Sequence, residues 1–233
     1  ELTMKEGLAQ SCNVVFSELA ARLGKDKMTA MAEKLGFNSS VVVNSTETAR
    51  QVYNVSKADE NGLGWSGIGQ YTVEANPMQM AIMCGAIANG GTAVLPNEIK
   101  GGVMEINGGT KDMIDSDLAA KLDEYMRYDV TSYYGDSMFP SLTVCAKTGT
   151  AEVGENKEPH AWMVGYSQDE DAPLAFAVIV ENGNMALQLL KQTDYAKSNT
   201  AISPVSTALS MAAIENAVSK DAQKEIKNHL GKS

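Results

Sequence analysis

Two short stretches carry side chains that could do chemistry together. The first is Lys147-Thr148-Gly149-Thr150, at the end of a strand predicted over residues 142–150. Side chains alternate along a strand, so Lys147 is set to reach a site at one side of the strand edge. Gly149 has no Cβ and lets a ligand lie close against the backbone. A free edge amide can face a developing oxyanion, and the hydroxyls of Thr148 and Thr150 can bind a carboxylate. The plain alternative is an edge strand weakened by its glycine. The second stretch is Ser11-Cys12-Asn13, a hydroxyl and a carboxamide at a helix start facing a cleft. Its plain alternative is that Ser11 or Asn13 merely caps a helix over residues 14–23.

The elements that must position these groups follow from periodicity. Thr3 and Glu6 have capping-box spacing. Leu8, Cys12, Val15, Phe16, Leu19 and Leu23 then fall at helical intervals up to Gly24, which reads as a stop. A second helix is predicted over residues 25–35, with Met28, Met31, Ala32 and Leu35 on one face. Residues 38–69 show no sustained period and read as a long loop. Asn76-Pro77 is an N-cap followed by proline at the first helical position, with Met80, Cys84, Ile87 and Ala88 as the buried stripe. A further helix is predicted over residues 115–127, carrying Leu118, Leu122 and Met126. After Pro140 the pattern turns strand-like, at residues 142–150, 161–166 and 174–180, and Ser203-Pro204 opens a last helix with Val205, Ala208, Leu209 and Ala212. Residues 1–140 thus read as a mostly helical subdomain, 141–218 as strands with a packing helix, and 219–233 as a charged, solvated tail.

Composition narrows the function. The 233 residues are 44% hydrophobic and 21% charged, as in a globular chain with room for a core, and no apolar run approaches the ~20 residues of a membrane helix. The net charge of −10, with no Lys/Arg cluster, excludes a nucleic-acid partner. Cys12, Cys84 and Cys145 stand singly and are expected as buried free thiols, and His160 and His229 do not complete a metal site. The 13 methionines are expected in the core. Gly62-Leu63-Gly64-Trp65-Ser66-Gly67 has the spacing of a dinucleotide-binding loop but lacks the preceding strand such a loop needs. His160, just before an apolar strand, is expected as a surface or hydrogen-bonded residue rather than a base.

Taken together, Ser-x-Asn followed far downstream by Lys-Thr-Gly on a strand resembles the penicillin-binding proteins and serine β-lactamases. Lys147-Thr148-Gly149-Thr150-Ala151-Glu152 is followed by His160-Ala161-Trp162-Met163-Val164-Gly165-Tyr166 and by Ala175-Phe176-Ala177-Val178-Ile179-Val180-Glu181-Asn182. Gly67-Ile68-Gly69-Gln70 precedes Asn76-Pro77-Met78-Gln79-Met80-Ala81 and Ala88-Asn89-Gly90-Gly91. These segments look like the transpeptidase domain of a class B, monofunctional penicillin-binding protein, from about residue 5 to about residue 218. The resemblance implies an α/β (α+β) fold of the β-lactamase/transpeptidase type, a helical subdomain beside an antiparallel sheet packed by helices.

One departure matters. The family's nucleophile is the serine of a Ser-x-x-Lys tetrad upstream of Ser-x-Asn, and no serine here has a lysine three positions later. The chain, which starts at Glu1 without Met, is therefore expected to be the C-terminal part of a longer protein. The nucleophile and the first two sheet strands would lie before it. Tyr71 stands where the family often has glycine after Gly-Gln, and Asn76 where threonine often precedes the proline.

By resemblance, Ser11 would pass a proton to the leaving amine and Asn13 would hydrogen-bond the substrate peptide. Lys147 would keep the site positive and polarise Ser11. Thr148 and Thr150 would hold the carboxylate of a D-Ala-D-Ala stem peptide or of a β-lactam, with Gly149 between them. The Thr150 amide would form half of an oxyanion hole. The reaction implied is acyl transfer through a serine ester, with no metal or other cofactor. The parent would be a membrane-anchored peptidoglycan D,D-transpeptidase acting outside the cytoplasmic membrane in cell-wall synthesis and cell shape, paired with a glycosyltransferase. The fragment alone is expected to be inactive, and to self-associate through the edge of the strand at 174–180 or to need its N-terminal segment. The alternatives are a β-lactamase or β-lactam-sensing receptor, and a non-catalytic interaction domain that kept the cleft.

Overall fold

The computed structural model describes residues 2–43, 46–96, 98–100, 103–105, 109–155 and 157–180. The helix expected at Ser203-Pro204 and the tail at 220–232 lie outside the described residues.

Thr3 opens α1 (Met4–Ala9) with the capping box read from the sequence: its hydroxyl accepts from the Glu6 amide at 3.3 Å, and the Glu6 carboxylate accepts from the Thr3 amide at 2.8 Å. The helical run expected to continue to Leu23 is interrupted. Ser11 takes φ +50°, a left-handed conformation uncommon for serine, and the chain restarts as α2 (Asn13–Lys34). Neither Ser11 nor Asn13 caps α2. Cys12 occupies that position and makes no side-chain cap bond. Gly24, at φ 80° and ψ 165°, kinks α2 where a stop was expected, and the helix predicted over residues 25–35 is α2's second half.

Residues 38–69 are not one long loop. They hold a small hairpin, β1 (Val42–Val43) with β2 (Thr46–Glu47), and α3 (Glu60–Gly67). Asp59 caps α3 by accepting from the Gly62 amide at 2.7 Å. Glycine costs about 1 kcal/mol per residue in a helix interior, which hides α3 in the sequence. Packing explains the glycines: a Cβ on Gly67 would lie 2.4 Å from Ala20 Cβ and 2.9 Å from the Phe16 carbonyl oxygen, and one on Gly64 3.3 Å from Ser17 Cβ. The Gly-x-Gly-x-x-Gly stretch is thus part of a helix seated on α2 through Gly64 and Gly67.

Asn76 caps α4 (Pro77–Ala88) as expected, accepting from the Met78 amide at 2.8 Å. The buried stripe is shifted from the expected one: Gln79, Ile82, Cys84 and Ala86 are buried, whereas Ala88 is exposed. Four short strands the periodicity did not reveal follow. β3 (Thr92–Val94) pairs with β6 (Thr110–Asp112), and β4 (Glu98–Lys100) with β5 (Val103–Glu105). α5 (Ser116–Asp129) lies where expected and buries Met126, while Leu118 is exposed. It runs into a widened π turn, Val130–Tyr134, closed by Gly135 at φ 83°. The methionines divide between core and surface: Met113 and Met126 are buried, but Met4, Met31, Met78 and Met138 are exposed.

The three predicted strands are β7 (Val144–Ala151), β8 (His160–Ser167) and β9 (Ala175–Val180), antiparallel in the order β7-β8-β9. Lys147 opposes Val164 and Gly149 opposes Trp162. α4 packs across β8 and β9, α5 against β7, and α1 on α5. The joint of these layers is the buried cluster Cys84, Met126, Cys145 and Tyr166. Among the described residues no helix is long and apolar enough to cross a membrane.

Candidate active site

The two stretches singled out in the sequence meet. Ser11 sits in the tight link between α1 and α2, its amide donating to the Leu8 carbonyl at 3.0 Å and the Cys12 amide to the Gly7 carbonyl at 2.9 Å. α1 is held on α5 by Lys5, whose ammonium lies 2.9 Å from Glu124 Oε1 and over the Tyr128 ring. From this seat Ser11 Oγ accepts from Lys147 Nζ at 2.5 Å. Lys147 also donates to the Thr148 carbonyl at 2.9 Å. Asn13 is exposed at the start of α2.

The second half of β7 is an edge among the described residues, since β8 is its one strand neighbour. Thr148, Gly149 and Thr150 are exposed there. A Cβ at Gly149 would meet Trp162 Cβ at 3.8 Å, ordinary contact distance, so the glycine is not demanded by its own sheet. Gln70 Nε2, from the loop after α3, donates to the Thr150 carbonyl at 3.4 Å and brings that loop, with Gly69 at φ 79° and Tyr71 at φ 67°, beside the strand end. The Thr148 hydroxyl does not stand free: it lies 2.8 Å from Tyr134 Oη, which also accepts from the Thr148 amide at 3.2 Å.

An ammonium hydrogen-bonded to a hydroxyl, beside an exposed strand edge, is an arrangement for proton transfer and anion binding. Burial pushes the Lys147 ammonium below its usual range, and the charge of Asp129 opposes that shift. No cluster of His, Cys, Asp and Glu able to hold a metal is found among the described residues.

The sequence matches the family described as the penicillin binding protein transpeptidase domain over residues 1–207. The chain belongs to this transpeptidase family. It is 32% identical over 195 residues to the peptidoglycan D,D-transpeptidase PbpA of Mycolicibacterium smegmatis, covering 78% of this chain and 39% of that one. It is 25% identical to the peptidoglycan D,D-transpeptidase MrdA of Acinetobacter baumannii, covering 82% of this chain and 34% of that one. The imipenem acyl-enzyme complex of penicillin-binding protein A from M. tuberculosis superposes with a TM-score of 0.70 at 29% identity, covering 78% of this chain and 43% of that one. The chain therefore spans about two fifths of the length of the PbpA relative it matches.

Sequence reasoning about this transpeptidase chain missed the groups beneath Lys147. Asp129, the last residue of α5, is fully buried, and its Oδ2 lies 3.7 Å from Lys147 Nζ. Tyr134 Oη donates to the same oxygen at 3.0 Å. Nothing in the local pattern marks either residue, because the π turn that returns Tyr134 to Asp129 is not a periodic feature. Cys145 and Cys84 are buried thiols, each pushed up to about 12, chiefly by desolvation, as expected for inert cysteines. Cys12 is only half-buried. His160 opens β8 opposite Ala151, beyond the Lys147–Thr150 stretch.

Proposed function

We propose that this chain is the C-terminal part of a peptidoglycan D,D-transpeptidase that cross-links stem peptides through a serine ester and is acylated by β-lactams. The observation that carries the reading is the Lys147–Ser11 hydrogen bond, which joins the Lys-Thr-Gly and Ser-x-Asn stretches across 136 residues. In this reading Lys147 polarises Ser11, Ser11 relays a proton to the leaving amine, and Asn13 holds the substrate peptide. Thr150, on the exposed strand edge, receives the terminal carboxylate beside Gly149. Thr148, already bonded to Tyr134, shapes that end of the cleft.

The serine that is acylated would come from outside these 233 residues, since none of their serines has a lysine three positions on. That segment would also carry the membrane anchor that places the enzyme outside the cytoplasmic membrane. Work beside a glycosyltransferase, and self-association of the chain when its N-terminal segment is missing, belong to the same proposal.

The test is intact-protein mass spectrometry with a labelled penicillin. This chain alone is expected to form no adduct, and the longer protein carrying a Ser-x-x-Lys segment to form one per molecule. A stoichiometric adduct on this chain would overturn the assignment and point to Ser11 or a cysteine as the nucleophile. Absence of any adduct on the longer protein would favour a non-catalytic domain.

A further inference from the structure

Asp129 is an anomaly. It is wholly inaccessible, and its Oδ1 is the one buried side-chain polar atom without a hydrogen-bond partner among the described residues. Buried carboxylates are normally saturated with donors, because desolvation makes an unmet lone pair costly. Its Oδ2 has Tyr134 at 3.0 Å and the Lys147 ammonium at 3.7 Å, too far for a hydrogen bond but well inside the range of strong Coulombic attraction. A group held under such strain persists where the surroundings over-determine it.

We propose that Asp129 is a positioning residue for Lys147: a buried counter-ion that, with Tyr134, keeps the ammonium charged and aimed at Ser11. Tyr134 has a single hydroxyl hydrogen. With that hydrogen donated to ionised Asp129, the oxygen accepts from the Thr148 hydroxyl and amide, so one tyrosine ties the counter-ion to the strand residue next to Lys147. The long ion pair leaves the ammonium's best hydrogen bonds for Ser11 and the Thr148 carbonyl. The charged surroundings are few. Opposite Lys147 on β8 stands apolar Val164. From the α1–α2 link comes neutral Ser11. From α5, Arg127 is engaged elsewhere, with the Val144 carbonyl and with Asp136 at 2.6 Å. Among the described residues Asp129 is thus the one carboxylate acting on Lys147, and Lys147 and Tyr134 are the titratable groups acting on Asp129.

The role calls for reciprocal titrations, read by NMR of labelled lysine Nζ and aspartate Cγ in the protein that carries this chain. Asp129→Asn keeps the shape and removes the charge. The Lys147 midpoint is expected to fall by about one pH unit or more, as when an opposite charge within a few ångströms is lost. Conversely, Lys147→Met is expected to raise the Asp129 midpoint by a comparable amount, because coupling between two sites is mutual. Asp123→Asn, a change to another α5 carboxylate, is expected to leave the Lys147 midpoint in place. An unmoved Lys147 midpoint in folded Asp129→Asn would overturn the proposal. So would an unmoved Asp129 midpoint in Lys147→Met, which decides the matter if the first variant does not fold.

The catalytic meaning of the pair rests on the transpeptidase reading. If that holds, the alkaline limb of β-lactam acylation moves to lower pH in Asp129→Asn. Failure of the wild-type protein to acylate at all would sink that reading while leaving the titrations to judge the counter-ion.

Discussion

α5 presents two carboxylates to the sheet and treats them in opposite ways. Asp123 is saturated: its Oδ1 accepts from Tyr166 Oη and from Gln168 Nε2, each at 2.8 Å, its Oδ2 accepts from Gln168 Nε2 at 2.9 Å, and the Cys145 thiol lies 3.6 Å from Oδ1. Asp129 is more deeply buried yet keeps one oxygen unmet and faces its cation at 3.7 Å. A satisfied network in a low-dielectric interior gains nothing by moving and serves as structure. An unsatisfied charge beside an ammonium responds to every change in its partner's charge, and that sensitivity is useful only where a proton moves. The first cluster locks α5 to β7 and β8. The second holds Lys147.

The sharpest way to break this contrast is chemical. With its thiol pushed up to about 12, Cys145 should alkylate at pH 8 about 10³-fold more slowly than a free cysteine, because so little thiolate is present. Peptide mapping after timed iodoacetamide treatment reads the rate, and labelling within tenfold of a free thiol would mean that the Asp123 cluster opens readily. Next in size is Lys147→Ala in the acylating protein, expected to slow acylation by ~10²–10³, the usual cost of one well-placed electrostatic contact. Stopped-flow with a chromogenic β-lactam measures it, and a loss within about twofold would remove Lys147 from the chemistry. Smallest is Asp123→Ala, which strips Tyr166, only 1% exposed, of its acceptor. It should lower stability by about 1–3 kcal/mol, the cost of a stranded buried hydroxyl. Acylation of the folded fraction should be unchanged. Urea unfolding beside the same kinetic assay separates the two, and a selective loss of rate would erase the distinction between the carboxylates.

What could be read beforehand follows the same division. Asn76-Pro77 and the strand-like runs at β7 to β9 are local signals that mark their elements in the folded chain, and Gly24 marks a kink in α2 rather than the expected stop. The meeting of Ser11 and Lys147 was legible only because both stretches resemble a known pair. α3 was not legible, since Gly62, Gly64 and Gly67 argue against a helix until α2 is seen pressed against Gly64 and Gly67. Ser11 was expected inside or capping a helix, and its left-handed conformation is set by the turn that ends α1. Asp129 lay two residues past the helix predicted over residues 115–127, with nothing to mark it. Its burial comes from the π turn and from β7, neither of which the spacing of apolar residues records.

The 136 residues between the Ser11 hydroxyl and the Lys147 ammonium also bear on how the protein folds. Closing so long a loop costs little more free energy than closing one half its size, about 0.6 kcal/mol per doubling, so stability is hardly affected. The search is what takes time, and distant contacts form after local ones such as the β8–β9 pairing. If Ser11 relays the proton as proposed, the hydroxyl and its cation lie so far apart that no site forms until nearly every intervening element is in place. Partly folded molecules of the longer, acylating protein would therefore be silent, and the appearance of β-lactam acylation during its refolding would time the last step of assembly.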